Sequence, residues 1–208
     1  MNYIILGAPA SGKGTQAELI SEKLNIPTIS SGVILRENIQ KKTELGLKAK
    51  DVMNKGQLVS DDIMIDLIKN RLNQEDCLNG YVLDGFPRTI SQAKALDEIT
   101  QIDKIIDVVI SDEAAIKRII SRRMCKSCGA TYHLIFNPSQ VENVCDKCNG
   151  ELYLRDDDKE EVVKERLKVY HNQTELLKKY YRDKIIKIDG MPSIKEVTQD
   201  IFNKLNIQ

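Results

Sequence analysis

The sequence has no excess of charge of either sign, its 31 Lys and Arg residues being balanced by 31 Asp and Glu. Without a basic surplus there is no electrostatic footprint for a nucleic-acid or membrane partner, so any cationic site has to be local. No apolar stretch approaches the ~20 residues of a membrane span, and the opening MNYIILGAPA lacks both a basic leader and an apolar segment long enough for a secretion signal. A cytoplasmic protein is expected. Histidine is scarce, at two residues, His133 and His171, and no Ser-His-Asp constellation is visible, which makes base catalysis unattractive. Five cysteines are an awkward number for a secreted disulfide framework. No internal repeat or low-complexity tract interrupts the 208 residues, enough for one or two domains with a full core.

What is present is organised. Apolar runs rich in Ile and Val recur as YIILG, YVLDG, IIDVVI and KIIKIDG, separated by segments of helical periodicity, the pattern of buried parallel strands joined by crossover helices. With the weaker run IPTIS they predict an α/β fold with a parallel sheet of about five strands. Residues 31–59 break the alternation and read as two short helices with no strand between them, an inserted lobe. Residues 121–155 break it again, with Cys, Gly, Asn and Pro clusters and the β-prone pieces ATYHLIF and ELYL, which predict a small sheet-like insertion. A long helix is expected from Asp157 onward, capped by Asp157 or Asp158 and continuing through Tyr170 and Leu177.

Four groups of residues carry chemistry. GAPASGKGT runs from Gly7 to Thr15, that is Gly7, Ala8, Pro9, Ala10, Ser11, Gly12, Lys13, Gly14 and Thr15, directly after a strand and before a helix. In that setting backbone amides face anionic oxygens and Lys13 reaches the terminal phosphates, so this is a phosphate loop, although the hydroxyl residue stands one place later than the strict motif asks. DGFPR, Asp84 to Arg88, closes the strand YVLD and puts a carboxylate at the carboxyl edge of the sheet, where Asp84 can orient Mg²⁺ through water and Arg88 can hold a second anion. Arg36, Arg122, Arg123, Arg155 and Arg166 cluster near the insertions. Singly, each is most simply a solvated surface residue; together, guanidinium forks suit phosphoryl transfer between phosphate chains, where positioning and charge neutralisation dominate and no general base is needed. Cys125-x2-Cys128 and Cys145-x2-Cys148, sixteen residues apart, have zinc-ribbon spacing; four thiolates would close a tetrahedral site, leaving a structural metal. Cys77 stands apart as a partly buried free thiol.

Taken together these residues resemble the adenylate kinase family in its long form, whose lid in many bacteria carries a zinc-binding cysteine cluster. The resemblance runs nearly end to end, through Gly7 to Gln16, Arg36 within SGVILR, DGFPR with Gln92, and Arg155-x-Asp157-Asp158 with Arg166-Leu167. It implies a P-loop core at 1–29, 60–120 and 159–208, an AMP-binding lobe at 30–59 and a lid at 121–158. It further implies reversible transfer between MgATP and AMP giving two ADP; a monomer is the default expectation, and the balanced charge leaves no nucleic-acid or membrane partner expected. AMP would be bound by Ser31, Arg36, Arg88 and Gln92, with Arg155 and Arg166, and by backbone around Gln57, Leu58, Val59 and Gly85. ATP would be bound by the phosphate loop with Arg118, Arg122, Tyr132, His133 and Met191, and Lys13, Arg88, Arg122, Arg155 and Arg166 would stabilise the transferring group. The sequence departs from the family pattern at Ala10 for Gly, Ser31 for Thr, Val33 for Asp, Ser60 and Ser91 for Pro, and Ser121 for Gly. If position 10 needs a positive φ, its Cβ costs ~1 kcal/mol or more. Two rivals share part of the pattern: a kinase for another nucleoside monophosphate such as UMP or CMP, and a zinc-ribbon nucleic-acid binder that carries an NTPase.

Overall fold

The apolar runs form strands buried on both faces, so neither side of the sheet needs polar residues to meet water. In the computed structural model, which describes residues 1–207, the elements run β1 (Asn2–Gly7), α1 (Lys13–Leu24), β2 (Thr28–Ser30), α2 (Ser31–Gln40), α3 (Glu44–Asn54), α4 (Asp61–Leu72), β3 (Tyr81–Asp84), α5 (Ile90–Ile99), β4 (Lys104–Val109), α6 (Asp112–Ile120), β5 (Arg122–Cys125), β6 (Thr131–His133), β7 (Leu152–Tyr153), α7 (Glu160–Val169), α8 (Leu177–Tyr180), β8 (Ile185–Asp189) and α9 (Ile194–Leu205). Five of the strands make one parallel sheet in the order β2-β3-β1-β4-β8. Side chains alternate along β1: Ile4 and Leu6 pack with Met64, Ile68, Ala93 and Leu96 of α4 and α5, while Tyr3 and Ile5 pack with Ala17, Ile20, Val197 and Ile201 of α1 and α9.

The register decides where the site lies. Ile5 of β1 is level with Asp84, the last residue of β3, and Gly7 is level with Val108 of β4. The loop after β1 therefore rises between two strands that cross to opposite sides, the crevice in which open α/β sheets bind ligands.

Both insertions take the forms expected. α2 and α3 follow each other without a strand, and β6-β5-β7 form a separate antiparallel sheet. The start of the long helix does not follow the sequence reading. Asp156–Asp158 form a 3₁₀ turn, the cap position of α7 is Lys159 with no side-chain cap, and the helix gives way to a π-helical turn at Tyr170–Thr174 before α8. Asp157 and Asp158 do not cap; their carboxylates are taken by Arg155, by Arg166 of α7 itself and by the distant Arg122. Where caps are used they are local: Thr43, Thr89, Ser111 and Ser193 each accept from an amide three residues on, and Ser193 completes a capping box with Glu196.

Candidate active site

The phosphate loop needs conformations that ordinary residues avoid. Gly7 has φ 150°, and a Cβ there would lie 2.5 Å from both Ser11 Oγ and the Val108 carbonyl. Ala10 has φ 59°, so the position does require the left-handed region and this chain meets it with an alanine. Lys13 opens α1 with its ammonium 3.2 Å from the Ala8 carbonyl. Burial pushes its pKa down to about 8; Asp84 raises it, while Arg88, Arg166 and Arg122 lower it further.

Asp84 stands over this loop, its Oδ2 accepting from Ser30 Oγ at 3.1 Å. Its other oxygen is buried without a hydrogen-bond partner. A buried carboxylate oxygen left free beside a phosphate loop fits a hydrated Mg²⁺ carried in with a nucleotide.

Ser31, Arg36, Gln57, Leu58, Val59, Gly85, Arg88, Gln92, Arg155 and Arg166 all line one cavity, together with Gly7, Pro9 and Lys13 of the loop. The sequence expectation for the monophosphate pocket is thus gathered in one place. Ser31 Oγ donates to the Gly85 carbonyl at 2.7 Å, and Arg88 Nε donates to the same oxygen at 2.7 Å. Gly85 itself, at φ 76°, has no room for a side chain, since a Cβ would meet Ser31 Oγ at 2.7 Å. The Gln57 side chain crosses the cleft to donate to Glu165 Oε1 at 2.6 Å and so ties the helical insertion to α7.

The arginines are held by the two aspartates that the sequence suggested as caps. Arg122 forms a bidentate pair with Asp158, its Nε at 2.8 Å. Arg155 forms a bidentate pair with Asp157, its Nε at 2.8 Å. Arg166 Nη1 reaches Asp157 Oδ2 at 2.9 Å and Asp158 Oδ1 at 3.0 Å. Burial alone would raise the Asp157 carboxyl, but Arg155 and Arg166 hold it well below the usual carboxylate range. Burial, then Arg155, lowers Arg36 to about 9, and burial lowers Arg166 to about 10 against the pull of Asp157; both stay cationic at neutral pH. The cleft therefore sets Lys13, Arg36, Arg88, Arg122, Arg155 and Arg166 against Asp84, Asp157 and Asp158, an excess of three positive charges. Arg123 is outside this set and donates to the carbonyls of Ile120 and Arg122.

On the other side of Lys13, Arg118 lies 3.5 Å from the Ser11 carbonyl and 3.4 Å from that of Met191, and its guanidinium stands 5.6 Å from the centre of the Phe136 ring. It joins the phosphate loop, the small sheet's loop and the segment before α9. Phe136 was not legible as part of this site. His133 Nδ1 accepts from the amides of Ile135 and Phe136 at 3.1 and 3.2 Å, while its Nε2 is buried without a partner. The Tyr132 hydroxyl accepts from Asp146 N at 2.8 Å and touches Cys145 Sγ, so its side chain belongs to the small sheet's core, and any contact of this residue with a nucleotide falls to its backbone.

The four cysteines converge, with every pair of sulfurs within 4.8 Å. Cys125 and Cys148 are 3.4 Å apart and Cys128 and Cys145 3.6 Å. A tetrahedral zinc with Zn–S near ~2.3 Å calls for sulfur edges of about 3.8 Å, so the set fits a closed structural zinc. Cys77 is a buried free thiol, and its sulfur accepts from Arg71 Nη1 at 3.0 Å.

A parallel sheet with a lysine-bearing phosphate loop, an arginine cage and a carboxylate placed for hydrated magnesium defines a P-loop phosphotransferase. The sequence profile of the family described as adenylate kinase matches residues 5–186. Adenylate kinase of Caldicellulosiruptor bescii is 51% identical over 215 residues, covering all of both chains. That of Methanocella arvoryzae is 53% identical over 97% of this chain and 96% of its own, and that of Bacillus licheniformis 49% identical over the same shares. The chain belongs to the adenylate kinase family.

Proposed function

We propose that this chain catalyses the reversible reaction ATP + AMP = 2 ADP with Mg²⁺. The observation that carries the reading is the convergence of six cationic side chains, with an excess of three charges, on one cleft beside a phosphate loop. Phosphoryl transfer between two phosphate chains asks for that arrangement, because the acceptor is already an oxyanion and needs no base. AMP occupies the cavity lined by Ser31, Arg36, Gly85, Arg88 and Gln92, with the backbone of Gln57, Leu58 and Val59 along its wall. ATP lies on Gly7 to Thr15 with its base toward Arg118, His133 and Met191. Lys13, Arg88, Arg122, Arg155 and Arg166 surround the transferring group, Arg166 reaching it from α7 and Arg155 from the end of the small sheet. Asp84 would hold a hydrated Mg²⁺ entering with the nucleotide, which would supply charge neutralisation at the triphosphate. Residues 1–29, 60–120 and 159–208 act as the core, with 30–59 and 121–158 closing as separate lobes to exclude water. The zinc stabilises the second lobe and takes no part in the chemistry.

No helix among the described residues is long and apolar enough to cross a membrane, and the balanced charge favours small anionic substrates over nucleic acid. We read the protein as a cytoplasmic monomer. The test is a coupled assay of ADP formed from MgATP with AMP, UMP, CMP or GMP as acceptor. Strong turnover with AMP that is lost in Lys13→Ala is expected; no transfer to any acceptor from folded, metal-loaded protein would overturn the reading.

A further inference from the structure

A glutamine carboxamide is nearly symmetric in shape but opposite in chemistry at its two ends, so a Gln that reads a base discriminates only if something fixes which end is oxygen. Gln92, 2% exposed and on the wall of the monophosphate cavity, is fixed from both sides. Its Oε1 accepts from the Arg88 amide at 2.8 Å, a group that can only donate. Its Nε2 donates to Asp61 Oδ1 at 2.7 Å, a carboxylate that when ionised can only accept. Thr89 closes the ring: its hydroxyl donates to Asp61 Oδ2 at 2.9 Å and accepts from Gln92 N at 3.1 Å. Turning the amide over would set N–H against N–H and oxygen against oxygen.

We propose that Asp61, the first residue of α4, is a positioning residue that locks the Gln92 carboxamide and so makes the site select a 6-aminopurine over a 6-oxopurine monophosphate. Each end of the amide keeps one free valence, a lone pair on Oε1 and one N–H on Nε2. Together they match the amino donor and ring-nitrogen acceptor on the edge of adenine. A 6-oxopurine presents the reverse pair, a carbonyl acceptor and a ring N–H donor, and would need the amide turned over. Asp61 thus acts 31 residues away from Gln92 in sequence and without touching the base.

The inference rests on Gln92 facing the purine of AMP, and the experiment separates the two. kcat and KM are measured with AMP and with inosine monophosphate as acceptors for the wild type, Asp61→Asn, Asp61→Ala and Gln92→Ala, with Tm recorded for each. Asn can pair with either orientation of Gln92, and Ala with neither, so both remove the Asp61 half of the lock by different routes and leave the Arg88 amide as the one remaining restraint. The expected result is a fall of about tenfold or more in the AMP to inosine monophosphate ratio of kcat/KM in both Asp61 variants, carried by KM more than by kcat. Equal losses for the two acceptors, the mark of a purely structural residue, would overturn the proposal while Gln92→Ala still weakened AMP. Gln92→Ala with an unchanged KM for AMP would overturn the pocket assignment itself.

Discussion

Lys13 gives the sharpest quantitative expectation. Its ammonium sits in a cleft crowded with guanidinium groups, and burial with that crowding lowers its pKa from 10.5 to about 8. Free protein therefore carries a partly neutral Lys13 in mildly alkaline solution, whereas a bound triphosphate restores the charge. MgATP binding should then take up protons: about 0.1 per site at pH 7, about 0.5 at pH 8 and about 0.9 at pH 9. The same linkage weakens binding by a factor of about 2 at pH 8 and about 11 at pH 9, relative to fully charged protein. Calorimetric titration at each pH in buffers of different ionisation enthalpy reads the uptake directly, with Lys13→Met as the control that abolishes it. The stability linkage has a definite sign. Between about pH 8 and 10.5 the folded chain binds fewer protons at this group than the unfolded chain does, so its contribution to stability rises with pH across that window. Uptake near zero at pH 8, or uptake that persists in Lys13→Met, would refute the reasoning, because it would show the ammonium fully charged in the free cleft or the proton going elsewhere.

Removing zinc should disorder the lobe at 121–158 while sparing the main sheet, because the lobe's buried cluster is Cys125, Tyr132, Cys145 and Leu152, half of it metal-ligating sulfur. Hydrogen exchange after chelation, or in Cys145→Ser, should show lost protection in β5 to β7 only; unchanged protection there would contradict a structural role for the metal. Ser60→Pro should raise stability by about 0.4–1 kcal/mol, since Ser60 already has φ −53° and makes no side-chain cap bond. A lower melting temperature in that variant would show that the turn before α4 needs the freedom serine gives it.

How far the sequence reached depended on whether a feature is local. Strands buried on both faces read as plain apolar runs, and the phosphate loop and cysteine pairs are contiguous or evenly spaced, so all were legible. Ala10 was legible too, its left-handed φ following from what the loop asks of that position. Asp157 and Asp158 were misread because a carboxylate before a helix looks the same whether it caps that helix or meets an arginine; Arg122 lies 36 residues from Asp158. The direction of the Tyr132 side chain was not legible for a related reason. Next to His133 on a two-residue alternation only one side chain can face the cleft, and the cysteine cluster claimed the other.

The charge balance of the cage bears on closure. Asp157 and Asp158 lie where the small sheet's last strand passes into α7, so each bidentate pair also fixes the approach of Arg122 and Arg155 to Arg166. Asp157 and Asp158 hold three guanidinium groups together and Asp84 offsets one more charge beside Lys13 and Arg88, but three of the six positive charges stay unneutralised and repel in a medium of low dielectric. On the proposed reading, the phosphates of the two nucleotides supply the missing negative charge. Closing the cleft empty then leaves that repulsion unrelieved, while closing it on two nucleotides removes it. The charge excess that stabilises the transferring group thus also favours the closed state only when both phosphate chains are in place, which keeps water from becoming the acceptor.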